Sequence, residues 1–362
     1  MTLKVDLGEH SYEINIEKGS LGRAADFVMP QLRGDMVAIL TDRNVDRHYG
    51  ELVLRSFQDR GVPAFKIVIE PGEASKSINS ALDIYRELLE HGFGRKDLLV
   101  TMGGGVIGDL GGYCAATYLR GVDFFQIPTS LLAQIDSSIG GKVAIDLPYG
   151  KNLVGAFYQP KGVLIDEETL CTLEEKFFID GMAEAVKYGA IFSDEFFTYL
   201  EEQSFTLEKV KAGASMEKVI HDCCDFKRIV VEEDEKEQGR RALLNFGHTV
   251  GHAIEKVQEY KGYSHGEAVA IGMCVISRAG EALGLTEAGT TERILRLVRA
   301  TGLPEEFPLP LKEEVIDAMS LDKKAQGKGI KIIWLERIGE SFIREEPKDQ
   351  LANILEKGVR HG

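Results

Sequence analysis

The sequence predicts an α/β domain followed by a mainly helical domain. In the first half, short apolar β segments alternate with amphipathic helical patterns, which is typical of a doubly wound sheet. From about Thr172 the β pattern nearly vanishes, and long helical segments continue to about Leu321. We therefore assign residues 1–172 to the α/β domain and residues 173–362 to the helical domain, and expect a functional cleft between them.

Each element has its own local pattern. The segments LKVDL and YEINI predict an opening hairpin, and four later apolar segments predict strands: MVAILTD, AFKIVIE, DLLVTM and FFQIPTS. Amphipathic helices such as SALDIYRELLEHG lie between some of them. Near the end of the chain, IKIIWLE and SFIRE predict one late hairpin, joined by RIGE.

The composition predicts a globular cytoplasmic protein. Hydrophobic residues make up 44% of the 362 residues, and the formal net charge is −15. An acidic surface repels nucleic acid and anionic membranes, so neither is an expected partner. The longest apolar run, AVAIGMCVIS, is far too short to span a bilayer. Any anion-binding site must therefore be a local cluster of cations.

The five cysteines do not indicate a disulfide framework. They are odd in number, have no C-x-x-C spacing, and three of them lie in helical or apolar contexts. We expect buried, reduced thiols.

A glycine cluster follows the predicted strand DLLVTM. Gly103, Gly105 and Gly108 satisfy G-x-G-x-x-G, which lets backbone amides approach a pyrophosphate at a helix N-terminus. The acidic residue that normally binds the ribose is missing after the next strand, so the loop is either structural or part of an unusual dinucleotide site. Asp42, the last residue of MVAILTD, and Asn44, two residues later, could supply that contact.

A segment rich in small and cationic residues follows, IPTSLLAQIDSSIGGKVAIDLPYGKNLVGAF. Its polar residues either belong to a solvated loop or contact a ligand. Because the lysines stand beside glycine pairs among apolar residues, ligand contact is favoured. The polar residues in question are Thr129, Ser130, Asp136, Lys142, Lys151 and Asn152.

Histidines and polar partners cluster in the second half. We predict that Arg241, Asn245, His248 and His252 lie on one face of a single helix, with His265 shortly after. The i, i+4 pair His248 and His252 could chelate a metal, with Glu184 as a carboxylate ligand and Lys187 one turn later. The alternative for each histidine is a hydrogen-bonded core residue. The helix lacks the glutamate of an H-E-x-x-H protease motif.

Together these segments resemble the 3-dehydroquinate synthases of the shikimate pathway, from about Asp42 to Ile338. The motifs that carry the resemblance are PGEASKS, GGGVIGDLGG, YLRG, IPTSLLAQIDSSIGGKVAID, GKNLVGAFYQP, GMAEAVKYG, LNFGHTVGHAIE, HGEAVAIGM and LDKK. The resemblance implies a Rossmann-like NAD-binding domain, a helical metal-binding domain, and a homodimer.

The resemblance also implies particular site residues. The zinc or cobalt ligands would be Glu184, His248 and His265, so His252 would face the substrate instead of the ion. NAD would be bound by Asp42, Asn44, Glu73, Lys76, Gly104, Gly105, Val106, Ile107, Gly108, Asp109, Thr129, Ser130, Lys142, Lys151, Thr169, Leu170, Cys171 and Thr172. The substrate would contact Asp136, Lys142, Asn152, Lys187, Lys227, Arg241, Asn245, His252 and either Lys323 or Lys324, with Arg120 reaching the phosphate across a dimer interface.

The implied activity is that of a lyase. It converts 3-deoxy-D-arabino-heptulosonate 7-phosphate into 3-dehydroquinate and phosphate by transient NAD-dependent oxidation, phosphate elimination, re-reduction and aldol closure, so NAD is recycled. Several lysines and arginines in an acidic protein suit a substrate with a carboxylate and a phosphate. The alternatives are another sugar phosphate cyclase, a metal-dependent polyol dehydrogenase that would release NADH, or a catalytically silent sensor.

Overall fold

A computed structural model describes residues 1–320 and 329–359, which form two compact units. Unit one comprises Met1–Glu174 and Val210–Lys236, and unit two comprises Glu175–Lys209 and the described residues from Glu237 onward. The segment Val210–Lys236 differs from the expected domain division, because the sequence analysis assigns it to the helical domain. It is held in unit one by Glu167, whose carboxylate accepts from the backbone N–H of Met216 at 2.6 Å.

Unit one contains a seven-stranded sheet in the order β1-β2-β9-β6-β5-β3-β4. β1 and β2 pair antiparallel, and the other neighbours pair parallel. The strands are β1 (Thr2–Val5), β2 (Tyr12–Ile16), β3 (Val37–Asp42), β4 (Ala64–Ile69), β5 (Leu98–Gly103), β6 (Asp123–Pro128) and β9 (Gly162–Ile165), and a separate antiparallel pair is formed by β7 (Lys142–Leu147) and β8 (Gly150–Phe157).

Helices cover both faces of this sheet. Along β3, Val37 and Ile39 lie in one apolar core and Ala38 and Leu40 in another, as the period of two in a strand requires. Both sets are fully buried, which confirms the predicted doubly wound α/β pattern. The helices of unit one are α1 (Ala24–Val28), α2 (Arg43–Val45), α3 (Glu51–Gln58), α4 (Ile78–Glu90), α5 (Gly105–Thr117) and α9 (Glu217–Glu233).

Unit two is mainly helical, with one hairpin. Its helices are α6 (Glu175–Phe192), α7 (Asp194–Gln203), α10 (His248–Val257), α11 (His265–Ala282), α12 (Thr290–Ala300), α13 (Lys312–Ser320) and α14 (Leu351–Gly358), while α8 (Leu207–Lys211) lies where the chain passes into unit one. The predicted late hairpin is confirmed as β10 (Gly329–Arg337) paired with β11 (Glu340–Pro347). Among the described residues, no helix combines the length and apolar character needed to cross a membrane.

Two local expectations are wrong. The chain from Arg241 to His252 is not a single helix, because a 3-10 turn (Arg240–Asn245) ends at Phe246 and α10 begins afresh at His248. The break is needed because Gly247, at φ 81°, lies against α11, where a Cβ would come 2.7 Å from the Val269 carbonyl oxygen. The sequence analysis also assigned no strands to β7, β8 and β9.

Candidate metal centre and nucleotide-binding edge

His248 is positioned by the close packing of α10 against α11. Its backbone follows Gly247, and a Cβ at Gly272 of α11 would come 2.0 Å from the Gly247 carbonyl oxygen. No side chain larger than hydrogen fits at either contact, so the first turn of α10 can approach α11 closely. The His248 Nδ1 atom faces the Phe246 carbonyl oxygen at 3.2 Å, which favours the tautomer that leaves Nε2 open for a ligand.

His265 is the first residue of α11, where a capping box determines its position. The Ser264 side chain accepts from the Glu267 backbone N–H, and the Glu267 carboxylate accepts from the Ser264 backbone N–H. The Gly266 N–H donates to Asp180 of α6 at 2.5 Å, and this contact ties the start of α11 to the helix that carries Glu184.

Glu184, His248 and His265 form a group whose ligand atoms all lie within 4.8 Å of one another. The Glu184 Oε1 atom is 3.6 Å from His248 Nε2 and 3.7 Å from His265 Nε2. Ligands held about 2.1 Å from a tetrahedral ion lie roughly 3.4 Å apart, so these separations fit one shared cation. Two imidazoles and one carboxylate are also a donor set that suits a catalytic zinc or a similar divalent ion.

The pKa values of the two imidazoles shift in opposite directions. Burial and then the Lys187 ammonium lower the pKa of His248 well below its usual value, so this ring is neutral and its lone pair is available. Burial lowers the pKa of His265, but interactions with the carboxylates of Glu184 and Glu255 outweigh it and raise the pKa to about 10. The negative potential at His265 is the environment that attracts a cation.

Lys187 and Glu184 are both almost completely buried, lie one turn apart on α6 as expected, and form an ion pair. The Lys187 ammonium contacts Glu184 Oε2, whereas Oε1 faces the two imidazoles. Each carboxylate oxygen therefore faces a different set of groups.

His252 lies one turn after His248 but is more exposed. Its ring centroid is 5.2 Å from that of His248 and 5.9 Å from that of His265. It belongs to a second group of candidate ligands with Glu255 and His265, and this group does not include Glu184.

Arg241 and Asn245 precede the break before α10. Arg241 is 1% exposed, and the Asn245 amide donates to Glu237 at 3.0 Å. Lys323 and Lys324, the two alternatives for a further substrate contact, lie outside the described residues.

In unit one, the predicted nucleotide-binding residues gather at one edge of the sheet. The parallel strands β3, β5, β6 and β9 end on the same side, because parallel strands share a direction. Asp42 ends β3, the glycine cluster follows β5, Thr129 and Ser130 follow β6, and the turn Glu167–Thr172 follows β9. After β3 the chain continues to β4 on one side of the sheet, whereas after β5 it continues to β6 on the other side. This reversal of strand order between β3 and β5 creates the kind of crevice where doubly wound folds bind nucleotides.

The glycine loop has the form that a pyrophosphate needs. Gly103 ends β5 and Gly105 begins α5, so the predicted placement between a strand and a helix is confirmed. A Cβ added to Gly104 would lie 3.4 Å from the Ser130 hydroxyl oxygen, and a Cβ added to Gly105 would lie 3.1 Å from the Ser137 hydroxyl oxygen. The N-terminus of α5 thus faces small hydroxyl side chains across a narrow space, and the residues present fit a bound phosphate group.

Most charges at this edge are already paired with each other. The buried Lys76 ammonium lies 2.6 Å from Asp109 Oδ2 and 2.5 Å from the Asn152 amide oxygen, and Lys151 lies 3.7 Å from Glu73. Burial raises the pKa of Asp109 and the Lys76 charge opposes that rise. The Asp42 carboxylate caps α2, accepting from the Asn44 N–H at 2.8 Å.

Three more predicted substrate residues lie in unit one. The Lys227 ammonium donates to the Asp136 carboxylate at 2.8 Å and to its backbone carbonyl at 2.7 Å. Lys142 is exposed at the start of β7. Arg120 is exposed and has a backbone φ of 69°, next to Leu119 at φ 50°. Two consecutive non-glycine residues thus have a strained left-handed backbone conformation.

Three residues near the site were not predicted from the sequence: Glu255, Glu237 and Asp180. Glu255 follows His248 by seven residues and His252 by three, so the same helical spacing that drew attention to the histidines also includes it. For the other two residues no sequence signal was available, since Asp180 is brought to α11 by tertiary packing and Glu237 reaches Asn245 across a turn.

Comparison with known protein families matches nearly three quarters of the chain. A model described as 3-dehydroquinate synthase N-terminal matches residues 66–180, and one described as 3-dehydroquinate synthase C-terminal matches residues 181–325. The 3-dehydroquinate synthase of Clostridium botulinum is 50% identical over 94% of this chain and 97% of its own. That of Streptococcus sanguinis is 44% identical over 99% of this chain and 100% of its own.

Solved structures share the whole fold at lower identity. A 2-deoxy-scyllo-inosose synthase complexed with carbaglucose-6-phosphate, NAD+ and Co2+ has a TM-score of 0.86 at 23% identity, covering 99% of this chain and 100% of its own. A 2-epi-5-epi-valiolone synthase from Streptomyces hygroscopicus with NAD+ and Zn2+ bound has a TM-score of 0.87 at 24% identity, covering 98% of each chain.

Proposed function

The chain belongs to the 3-dehydroquinate synthase family and is a lyase of the shikimate pathway; from this premise we propose which of its residues bind the cofactors and substrate. The reaction converts 3-deoxy-D-arabino-heptulosonate 7-phosphate into 3-dehydroquinate and phosphate. The observation that carries the assignment is the convergence of Glu184, His248 and His265 on one point. We assign these three residues to a divalent metal and the glycine edge of unit one to NAD.

The metal is proposed to be zinc or cobalt. The two-nitrogen, one-oxygen donor set suits either ion, and the similar solved structures carry one or the other. When bound, the ion would acidify a substrate hydroxyl, and NAD+ would accept and return a hydride, so no net oxidation would occur. Lys187 holds Glu184 so that Oε1 faces the imidazoles, and the packing of Gly247 and Gly272 holds His248 in place.

His252 is proposed to serve the substrate instead of the metal. Its ring lies beside the two ligand imidazoles but is more exposed than that of His248, so it can reach a molecule bound at the ion. An imidazole can accept a proton from a bound substrate and return it, as a general base and acid does. Lys187, Arg241 and Asn245 are proposed substrate contacts on the same unit.

In unit one, we propose that the charged pairs rearrange around ligands. Lys76, Asp109, Lys151, Glu73 and Asp42 would bind NAD, with Asn44 and the backbone of residues 104–108, Thr129, Ser130, Lys142 and the turn at residues 169–172. Lys227, Asp136, Asn152 and Lys142 would meet the substrate. Since Lys76 already touches Asn152, one contact links the two sets of residues.

We further propose a homodimer that works in the cytoplasm. β8 exposes Leu153, Val154 and Phe157, and an exposed apolar strand is a ready surface for a second copy. The strained, exposed Arg120 supports a role at such an interface, where its guanidinium would reach the partner's bound phosphate. A reducing compartment suits the five cysteines, which form no disulfide; four of them are buried and Cys171 is exposed.

The test is phosphate release from 3-deoxy-D-arabino-heptulosonate 7-phosphate with NAD+ and zinc or cobalt, followed together with NADH absorbance. We expect stoichiometric phosphate without accumulating NADH, loss of activity on chelation, and recovery when metal returns. Accumulating NADH would instead indicate a dehydrogenase, and activity that survives complete chelation would contradict the metal assignment.

A further inference from the structure

The imidazole of His265 lies between two carboxylates, one facing each ring nitrogen. Its Nε2 atom is 3.7 Å from Glu184 Oε1, and its Nδ1 atom is 3.5 Å from Glu255 Oε2. Glu255 is 7% exposed and is carried by α10, the same helix that carries His248. A buried carboxylate on the side of the ring away from Glu184 therefore needs an explanation.

Two groups of candidate ligands share His265, and the ring itself distinguishes them. One group is Glu184 with His248 and His265, and the other is His252 with Glu255 and His265. The two nitrogens of an imidazole point in different directions, so one ion cannot use both of them. In the first group, the Nε2 atoms of His248 and His265 lie at nearly equal distances from one oxygen of Glu184. The second group depends on His252, which is exposed.

We propose that Glu255 is a positioning residue for the metal site: its carboxylate accepts a hydrogen bond from the Nδ1–H of His265 and thereby directs the Nε2 lone pair toward the ion. This inference rests on the proposed metal site. A carboxylate partner fixes the tautomer and orientation of a ligand imidazole and makes it a stronger donor. Glu255 is thus not a ligand, and it acts through His265.

The other ligand imidazole supports this role by its own arrangement. His248 has an oxygen at the same position, because its Nδ1 atom faces the Phe246 backbone carbonyl at 3.2 Å. Each imidazole therefore has an oxygen at Nδ1 and leaves Nε2 toward Glu184. The difference is that a backbone carbonyl cannot be removed by substitution, whereas Glu255 can, so the contribution of this second contact is measurable at His265.

The measurement is the affinity of the purified protein for Co2+ or Zn2+ by competition with a chelator, together with the visible absorption spectrum of the Co2+ form. Removing such an outer partner typically weakens metal binding by about 10–100-fold. We expect that loss in Glu255→Ala. A smaller loss is expected in Glu255→Gln, because the amide oxygen still accepts a hydrogen bond. Both variants should keep one ion per chain and the Co2+ absorption spectrum of the unaltered protein.

Two controls separate this effect from damage to the fold and from loss of charge. Glu259→Gln removes a carboxylate four residues further on, where the side chain is 78% exposed, and should leave the affinity unchanged. Circular dichroism and the emission of Trp334, which is buried in unit two, report whether each variant is folded.

The outcomes distinguish this inference from the metal site on which it rests. Unaltered affinity in Glu255→Ala, with binding lost in Glu184→Gln, would overturn the role of Glu255 alone. Loss of binding in Glu255→Ala with a changed coordination spectrum in Glu255→Gln would show that Glu255 is itself a ligand and would also overturn it. Unaltered affinity in Glu184→Gln would overturn the metal site and this inference together.

Discussion

The sheet edge of unit one and the histidine cluster of unit two organise charge in different ways. At the sheet edge several cations have a carboxylate at short range, as in Lys76 with Asp109 and Lys227 with Asp136. In the cluster, one oxygen of Glu184 faces two imidazole nitrogens at separations that fit a shared ion. Paired charges neutralise each other before a ligand arrives, whereas converging ligand atoms require a cation. The first arrangement is therefore sensitive to the loss of either partner, and the second is sensitive to the loss of the ion.

The largest expected effect tests whether His252 belongs to the converging set. We expect His252→Ala to lower turnover by about 10³-fold, the range of a lost acid or base, while one divalent ion per chain is retained. The measurement is turnover by phosphate release, paired with metal content by elemental analysis. Loss of the ion would make His252 a ligand. Exposed Lys256→Ala, on the same helix, is the matched control and should change neither quantity.

The next effect tests the paired charges. Lys76→Met leaves the partly buried Asp109 carboxylate without its cation, and we expect the free energy of unfolding to fall by about 3 kcal/mol at pH 8. Burial already raises the pKa of Asp109, and removal of Lys76 raises this pKa further, since the ammonium lowers it. A carboxyl group with a raised folded-state pKa destabilises the fold as pH rises, so the loss should shrink toward pH 5.

Denaturant unfolding measures these free energies, and a double variant isolates the contribution of the Lys76–Asp109 ion pair. Lys76→Met with Asp109→Leu should recover most of the lost stability, because no unpaired charge remains. Lys151→Met, at the more exposed pair with Glu73, should cost less than about 1 kcal/mol. An equal cost at both lysines would contradict the distinction between buried and exposed pairs.

A third effect, close in size to that of Lys76→Met, sharpens the contrast between the two units. With free metal about 100-fold above its dissociation constant, bound ion stabilises the fold that binds it by about 2.7 kcal/mol. Chelation should therefore lower the unfolding midpoint seen by Trp334, the single tryptophan of the chain, which lies in unit two. Hydrogen exchange of the β3 and β5 amides should change much less. An equal change in these unit-one strands would mean that the ion stabilises both units alike.

Much of the fold was predictable because its signals are local. The apolar strands β3 to β6 and the glycine turn between β5 and α5 follow from residues adjacent in sequence, and all are observed. β9 was missed because it is a four-residue strand, and β7 and β8 because glycines and lysines obscure their pattern. The prediction of a single helix from Arg241 to His252 was wrong because the conformation of Gly247 is determined by its close contact with α11 and not by its sequence neighbours.

The sequence by itself determined the α/β and helical composition of the two parts, the glycine loop, and the identity of the residues that can bind a metal or an anion. Only the tertiary structure decided which of those residues meet. Spacing along a helix paired His248 with His252, but the packing of α6, α10 and α11 brings His265 and Glu184 to His248 and Glu255 to the far side of His265. The physical reason is that helix periodicity relates residues a few positions apart, whereas ligand geometry depends on contacts between helices whose close approach is set by glycines and caps.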